Sequence, residues 1–317
     1  MNNSAKGYAF LIMAALVWGC SLVAQKAGLE SIGPLWFTTI RCLMGGVVML
    51  PVAVIVNGKE KKKLLKSYDT SDEEQSISTE EVLIKRRKNI FLAAICCGSL
   101  IGAVILIQQL GLPYTTVGKA GFITALYILI TPIMGLFLGK KCRRNVWIAV
   151  VIGLAGMCLL CLYRGLDSVT FGDVMMLCAS FLCAVHIHTI DHFVKDINPV
   201  MLTCLQFITA GLLCIVPAII FEDISFAALR SAAVPVIYAG VFSCAVGYTF
   251  QTIGQKLTEP NIACLVLSME TVFSLLAGRI FFGEILTSYE YMGCVLMFAA
   301  IITAQLPEGK NRKINAK

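Results

Sequence analysis

Ten stretches of mostly apolar residues, each close to the length of a bilayer crossing, follow one another along the chain. They run 7–28, 34–56, 89–111, 116–138, 146–163, 171–194, 198–221, 233–254, 260–282 and 287–305. A transmembrane helix needs roughly 20 apolar residues, so the succession predicts an all-α polytopic membrane protein with ten transmembrane helices. Composition agrees: 58% of the 317 residues are hydrophobic and only 14% are charged, against about 25% charged in soluble domains. That balance excludes a disordered chain, a coiled coil and an ordinary cytosolic enzyme. The first stretch lacks a small-x-small cleavage site followed by a soluble domain, so it is expected to stay as an uncleaved first span.

The basic residues set an orientation. Lys and Arg number 26, and 20 of them fall in loops or termini of one side (Lys6, the 57–88 loop, Lys140–Arg144, Lys195, Lys256 and the tail). Five fall on the other side (Lys26, Lys119, Arg164, Arg230, Arg279), and Arg41 lies within a span. The positive-inside bias then puts both termini in the cytoplasm, which requires an even number of crossings and favours a multi-pass protein of the plasma membrane. The net charge of +7 is concentrated in these loops, so it signals topology and no nucleic-acid partner. Thirteen of the 14 cysteines lie inside apolar stretches, Cys142 being the exception; they read as small packing residues. Cys158-x-x-Cys161 has a redox-like spacing, but it too lies in an apolar run.

The chain also repeats. At an offset of 165, Gly7 meets Gly172, Pro34 meets Pro199, Thr38 meets Thr203, Gly46 meets Gly211, and Arg41 meets Gln206. Further on the offset becomes 142, with Gly98 opposite Gly240 and Gln109 opposite Gln251; at 139, Thr131 falls opposite Glu270. The fall in offset marks 57–88 as an insertion into the first half. The organisation expected is a repeat over 1–163 with a charged cytoplasmic insertion at 57–88, a repeat over 164–307, and a cytoplasmic tail, 308–317. Five spans is an odd number, so the halves must be inverted relative to each other. Inverted five-helix repeats are an architecture of secondary transporters, with the solute site near the midplane between them.

Particular residues then suggest a family. The first span reads Ala15-Leu16-Val17-Trp18-Gly19-Cys20-Ser21, and the second carries Arg41 in Phe37-Thr-Thr-Ile-Arg41-Cys-Leu. The fourth has Ile130-Thr131-Pro132; the ninth reads Leu267-Ser268-Met269-Glu270-Thr271-Val272-Phe273 and closes with Phe282-Gly283-Glu284. Taken in order over residues 7–305, this resembles the EamA family of the drug/metabolite transporter superfamily. The resemblance implies two inverted five-helix repeats, a central cavity lined mainly by spans 1, 3, 4, 6, 8 and 9, and movement of amino acids, other small metabolites or drugs. The chain departs from the family pattern at Thr271, where a proline is usual, and at Gly139-Lys140, where Gly-Glu usually closes the fourth span.

Ionisable groups inside a span are costly unless they face protein or water. Glu270, halfway along the ninth span, is the main candidate: cut off from bulk water, it could exchange protons with the pathway, or bond a neighbouring carbonyl and tie the fold. Arg41 could grip a substrate carboxylate by two parallel bonds, or snorkel or cap carbonyls. The structural role is the expectation for Arg41, because span 2 should flank the cavity. Gln206, its counterpart, is neutral. Gln108, Gln109 and Gln251 are amides that either touch substrate or join helices. Trp18, Tyr127 and Tyr248 are candidate aromatic walls, with simple packing as the alternative. His186 is a cavity candidate.

His188, Asp191 and His192 share a helix face and could hold a divalent ion, yet they lie at the cytoplasmic end, where polar residues are cheap, so no metal site is expected. Lys119 starts the fourth span and reads as a snorkelling charge or part of an anion funnel. Gly98-x-x-x-Gly102, and the Gly153 and Gly156 pair, should allow close helix approach. The basic ends of 57–88 could touch anionic lipid. No Gly-x4-Gly-Lys-Ser/Thr loop is present, so no cofactor is implied and the driving force must be a solute or ion gradient. The leading function is secondary transport of a small organic solute across the plasma membrane by alternating access, proton-coupled through Glu270, by a monomer or homodimer in lipid. A passive channel or non-transporting receptor is the alternative. A membrane-embedded enzyme would need paired reactive groups at depth, and only Glu270 is deep and acidic, so an enzyme is not expected.

Overall fold

The computed structural model describes residues 3–69, 79–137, 139, 144–161, 169–258 and 260–306. The centre of the insertion, Lys140, Cys142, the junction of the two repeats with Arg164, and the 308–317 tail lie outside the described residues. The fold is all-helical, with no strand among those residues. In chain order the helices are α1 (Asn3–Gly28), α2 (Pro34–Asp69), α3 (Thr79–Gly111), α4 (Val117–Thr124), α5 (Tyr127–Phe137), α6 (Arg144–Cys161), α7 (Phe171–Phe193) and α8 (Pro199–Phe221). They continue as α9 (Phe226–Ser231), α10 (Ala233–Ile237), a π-helical stretch (Tyr238–Gly247), α11 (Tyr248–Leu257), α12 (Pro260–Leu267), α13 (Met269–Phe282) and α14 (Ser288–Gln305).

Eight segments among the described residues are long and apolar enough to cross a membrane: Ala5–Gly28, Pro34–Glu60, Leu83–Tyr114, Val117–Phe137, Phe171–Phe193, Pro199–Phe221, Ala233–Leu257 and Ile262–Phe282. The fifth and tenth expected spans are α6 and α14, of 18 residues each; their apolar centres, Trp147–Gly156 and Tyr291–Ala300, are shorter. The outer surface is apolar: Val47, Val54, Ile55, Phe91, Val151, Ile219, Phe242 and Ile280 all point outward, as a lipid-facing wall requires.

Two helices outrun their expected ends. α2 has 36 residues and α3 has 33; at about 1.5 Å per residue each is roughly 50 Å long, well beyond the ~30 Å hydrocarbon core. The charged flanks of the insertion therefore continue the two helices. They are tied together: Arg86 Nη2 donates to Asn57 Oδ1 at 2.8 Å and to Glu60 Oε2 at 3.3 Å. Glu60 Oε1 in turn accepts from Asn198 Nδ2 at 3.0 Å, joining this stalk to the start of α8.

Helix pairing recurs when the two halves are exchanged. α1 packs on the π-helical stretch with α11 and on α12 with α13, while α7 packs on α3 and on α4 with α5. α2 meets the π-helical stretch as α8 meets α3, and α2 pairs with α8 and α6 with α14. At the α2–α8 crossing the equivalent glycines set the approach. A Cβ on Gly46 would lie 2.6 Å from Ile208 Cγ1, and one on Gly211 would lie 2.6 Å from Leu43 Cγ. The Gly98-x-x-x-Gly102 pair also faces α8, against Thr209 and Ala210.

Two segments are interrupted midway. α4 ends at Thr124 and α5 begins at Tyr127, the turn being closed by Ile128 and Leu129 N–H groups that reach back three residues to the Ala125 and Leu126 carbonyls. α12 ends at Leu267 and α13 begins at Met269. There Thr271 bonds the Ser268 carbonyl through both its N–H (2.9 Å) and its hydroxyl (2.8 Å), so the threonine that stands where the family has proline still accompanies a break. α4 and α12 start and end 143 residues apart, which brings Tyr127, not Thr131, opposite Glu270.

At one end, acidic side chains from the second half cap helices of the first. Glu284 accepts from Val117 N (2.9 Å), Gly118 N (3.1 Å) and Lys26 Nζ (3.2 Å), placing a carboxylate on the positive N-terminus of α4. Glu222 caps α2 through Leu35 N and Trp36 N, both at 3.0 Å. Lys119 is ion-paired with Asp173 at 3.3 Å and is neither a free snorkelling charge nor a funnel. Asp173 also completes the Thr170 capping box of α7.

Two outcomes follow for purified protein in detergent. Gly211→Val should lower the melting midpoint, through overpacking worth about 1–3 kcal/mol, whereas Gly58→Ala, with nothing within 4 Å of the added Cβ, should not; equal midpoints would contradict the α2–α8 contact. Glu284→Gln should destabilise by about 2 kcal/mol, the size of a charged hydrogen bond, and Lys26→Met added to it should cost little more.

Candidate functional site

Both halves contribute to one narrow cavity inside the bundle, of about 40 Å³. α1 gives Trp18, Ser21, Leu22 and Gln25; α7 gives Cys183, His186 and Ile187; α3 gives Ile101 and Gln108. Thr124 and Tyr127 flank the α4–α5 break, Leu267 and Glu270 flank the α12–α13 break, and Ser243, Tyr248 and Gln251 come from the π-helical stretch and α11. Arg41 of α2 completes the wall. At the offset of 165, Trp18, Ser21 and Leu22 correspond to Cys183, His186 and Ile187, so α1 and α7 present equivalent faces.

Tyr248 is the centre of the aromatic wall. Its ring lies 4.5 Å from Trp18, 4.9 Å from Phe207 and 6.5 Å from His186, centroid to centroid. His186 Nε2 lies 3.0 Å from Gln206 Oε1, so Gln206 stands behind the wall and orients the imidazole. Glu270 is in the first turn of α13 and 9% exposed. No hydrogen bond or ion pair engages its carboxyl group among the described residues; the alternative of a carboxyl group tied to a backbone carbonyl has no partner here.

Several polar atoms of this wall are buried without a protein partner: Trp18 Nε1, Gln25 Oε1, Arg41 Nε and Nη1, Tyr127 Oη and Gln251 Oε1. Donors and acceptors are both represented, which suits a polar solute.

Of the residues singled out by sequence, Trp18, Arg41, Gln108, Tyr127, His186, Tyr248, Gln251 and Glu270 line the cavity. Gln109 does not: it is fully buried, and its Nε2 donates to the Gln25 carbonyl at 3.2 Å, joining α3 to α1. Arg41 lines the cavity although span 2 was expected only to flank it. Among the polar lining residues, sequence reasoning missed Ser21, Gln25, Thr124 and Ser243. The first two could have been found, since Trp18, Ser21 and Gln25 recur at three- and four-residue steps, one face of a helix.

The His186–His192 group is dispersed. His188 Nε2 lies 2.9 Å from the Thr131 carbonyl, Asp191 pairs with Lys195 at 3.6 Å, and His192 packs on Phe193. No group of three His, Cys, Asp or Glu side chains able to hold a metal occurs among the described residues. No disulfide joins the cysteines whose side chains are described.

Comparison with known proteins agrees with this architecture. An uncharacterized transporter of Archaeoglobus fulgidus is 28% identical over 93% of this chain and 84% of its own length. The uncharacterized transporter YwfM of Bacillus subtilis is 25% identical over 97% of this chain and 96% of its own. A solved crystal structure superposes with a TM-score of 0.68 at 14% identity, covering 95% of this chain and 97% of that one, a likeness of fold alone. The model of the EamA-like transporter family matches residues 5–162 and 170–304. With nearly the whole length matched, the chain belongs to the EamA family of the drug/metabolite transporter superfamily.

Proposed function

We propose that this chain is a secondary transporter that carries a small organic solute across the plasma membrane by alternating access, with the interior cavity as its solute site. The observation that carries the reading is a polar, aromatic-walled cavity built from equivalent faces of both halves. Ten crossings are inferred, α6 and α14 being the fifth and tenth: 18 residues span about 27 Å, near the thickness of a thin bilayer. The exchangeable helix pairings, the two matched segments and the paired breaks support two halves of opposite orientation. Discontinuous helices at the midplane are a feature of such sites. The distribution of Lys and Arg supports cytoplasmic termini.

On that orientation, Lys26–Glu284 and Lys119–Asp173 lie at the outer end, and both join one half to the other. They act as an outer seal that must part when the cavity opens outward. Toward the cytoplasm, an open crevice runs between Asp191, Lys195, Gln255 and Thr258. Glu270 is the group through which proton movement couples to solute movement, because it is the one carboxylate on the cavity wall among the described residues.

A carrier in proteoliposomes should show saturable flux and counterflow into preloaded vesicles; flux that never saturates and lacks counterflow would mark a channel. Glu270→Gln should leave the protein inserted and folded while removing the pH dependence of flux. An unchanged pH profile would eliminate Glu270 as the coupling group.

A further inference from the structure

Arg41 is almost fully buried, at 2% exposure, yet its Nε and Nη1 atoms have no acceptor in the protein. No carboxylate pairs with it among the described residues; its guanidinium carbon lies over the Phe37 ring, 5.9 Å from the centroid. The Cys244 thiol is a side-chain hydrogen-bond neighbour of the guanidinium, and Cys42 and Cys214 are close by; thiols are weak acceptors without charge, so a cation kept at this depth lacks an anionic partner. The second half shows the contrast. Gln206, at the position equivalent to Arg41, is bonded by His186. The residue equivalent to His186 is Ser21, which lines the cavity beside a free Gln25 Oε1. One half thus closes its wall with a His–Gln pair, and the other leaves a cation facing the solute space.

We propose that Arg41 is the docking group for an oxyanion of the transported solute, so that the substrate class is organic solutes bearing a carboxylate or phosphate group. This rests on the cavity being the solute site. The orphaned N–H groups are closed off in the present state, so the anion reaches them as the cavity widens. Guanidinium suits either oxyanion, through directed charge-assisted hydrogen bonds. Arg41 and Glu270 line the same cavity, and neither forms an ion pair among the described residues.

The test uses the full chain in detergent, with melting followed against lactate, succinate and benzoate in one arm and glycerol 3-phosphate and glucose 6-phosphate in the other. Lactamide, succinamide, benzamide, glycerol and glucose serve as neutral controls. The wild type should be stabilised by members of one anionic arm and not by their neutral counterparts; the arm that responds separates carboxylate from phosphate. Arg41→Met should melt no lower than wild type without ligand, because it removes an unpaired buried charge, and should weaken the anion response at least tenfold; Arg41→Lys should keep part of it. Stabilisation only by neutral solutes, no response to any anion, or an anion response that survives Arg41→Met would each overturn the proposal. An Arg41→Met protein that melts well below wild type would do so too, by giving Arg41 a structural role. Counterflow of any solute in the wild type, unaffected by Arg41→Met, would overturn it while leaving the transporter reading intact. Absence of counterflow for every solute would be the failure of that reading itself.

Discussion

Hydrocarbon offers no hydrogen bonds, so every polar group at membrane depth must be met by protein or by a water-filled space. The interruptions at Ala125–Leu126 and Ser268 obey that constraint. Each sits in the interior of the bundle, where freed carbonyls are taken up by short-range N–H and hydroxyl donors, and each opens onto the same cavity through Tyr127 or Glu270. Outside, large apolar side chains such as Val54, Phe91, Val151, Ile219 and Ile280 are exposed. The polar interior exists because the helices around it exclude lipid, and the close contacts at Gly46, Gly211 and Gly98 bring those helices near enough to do so.

Within a nearly symmetric frame, the differences between the halves supply the chemistry. Arg41 stands opposite Gln206, Ser21 opposite His186, and Tyr127 opposite Glu270. The fourth-span closure repeats as Gly139-Lys140 against Gly283-Glu284, with both glycines at positive φ (74° and 62°). Only the second-half copy puts an acid there, and that acid caps α4 and pairs with Lys26. Unequal charge at equivalent positions makes the two ends and the two walls chemically different.

Much of this was legible because hydrophobicity is a strong signal over twenty residues. The apolar runs located the helices, and charges within them, Arg41 and Glu270, stood out against their surroundings. The lengths of α2 and α3 were not legible, since their Lys- and Glu-rich ends have no apolar run to mark them and are held by Arg86, Glu60 and Asn198 across the fold. The breaks also escaped notice: neither carries Gly or Pro at the turn, and Pro132 lies beyond it. Gln108 and Gln109 show the limit at single residues. They are adjacent and alike, but about 100° apart around the helix, so only packing decides that one faces the cavity and the other joins α3 to α1. Ser243 is small and uncharged, and nothing in its type separates it from packing residues.

Opposite orientation of the two halves is the claim on which the carrier account stands, and sidedness reporters test it most directly. Reporters sensitive to the side of the membrane can be inserted between residues 73 and 74, between residues 165 and 166, and after residue 317. The account requires the first and last to report the cytoplasm and the middle one to report the exterior. A middle reporter on the same side as the other two would mean that the halves run in parallel, and would contradict the opposite orientation on which this account stands.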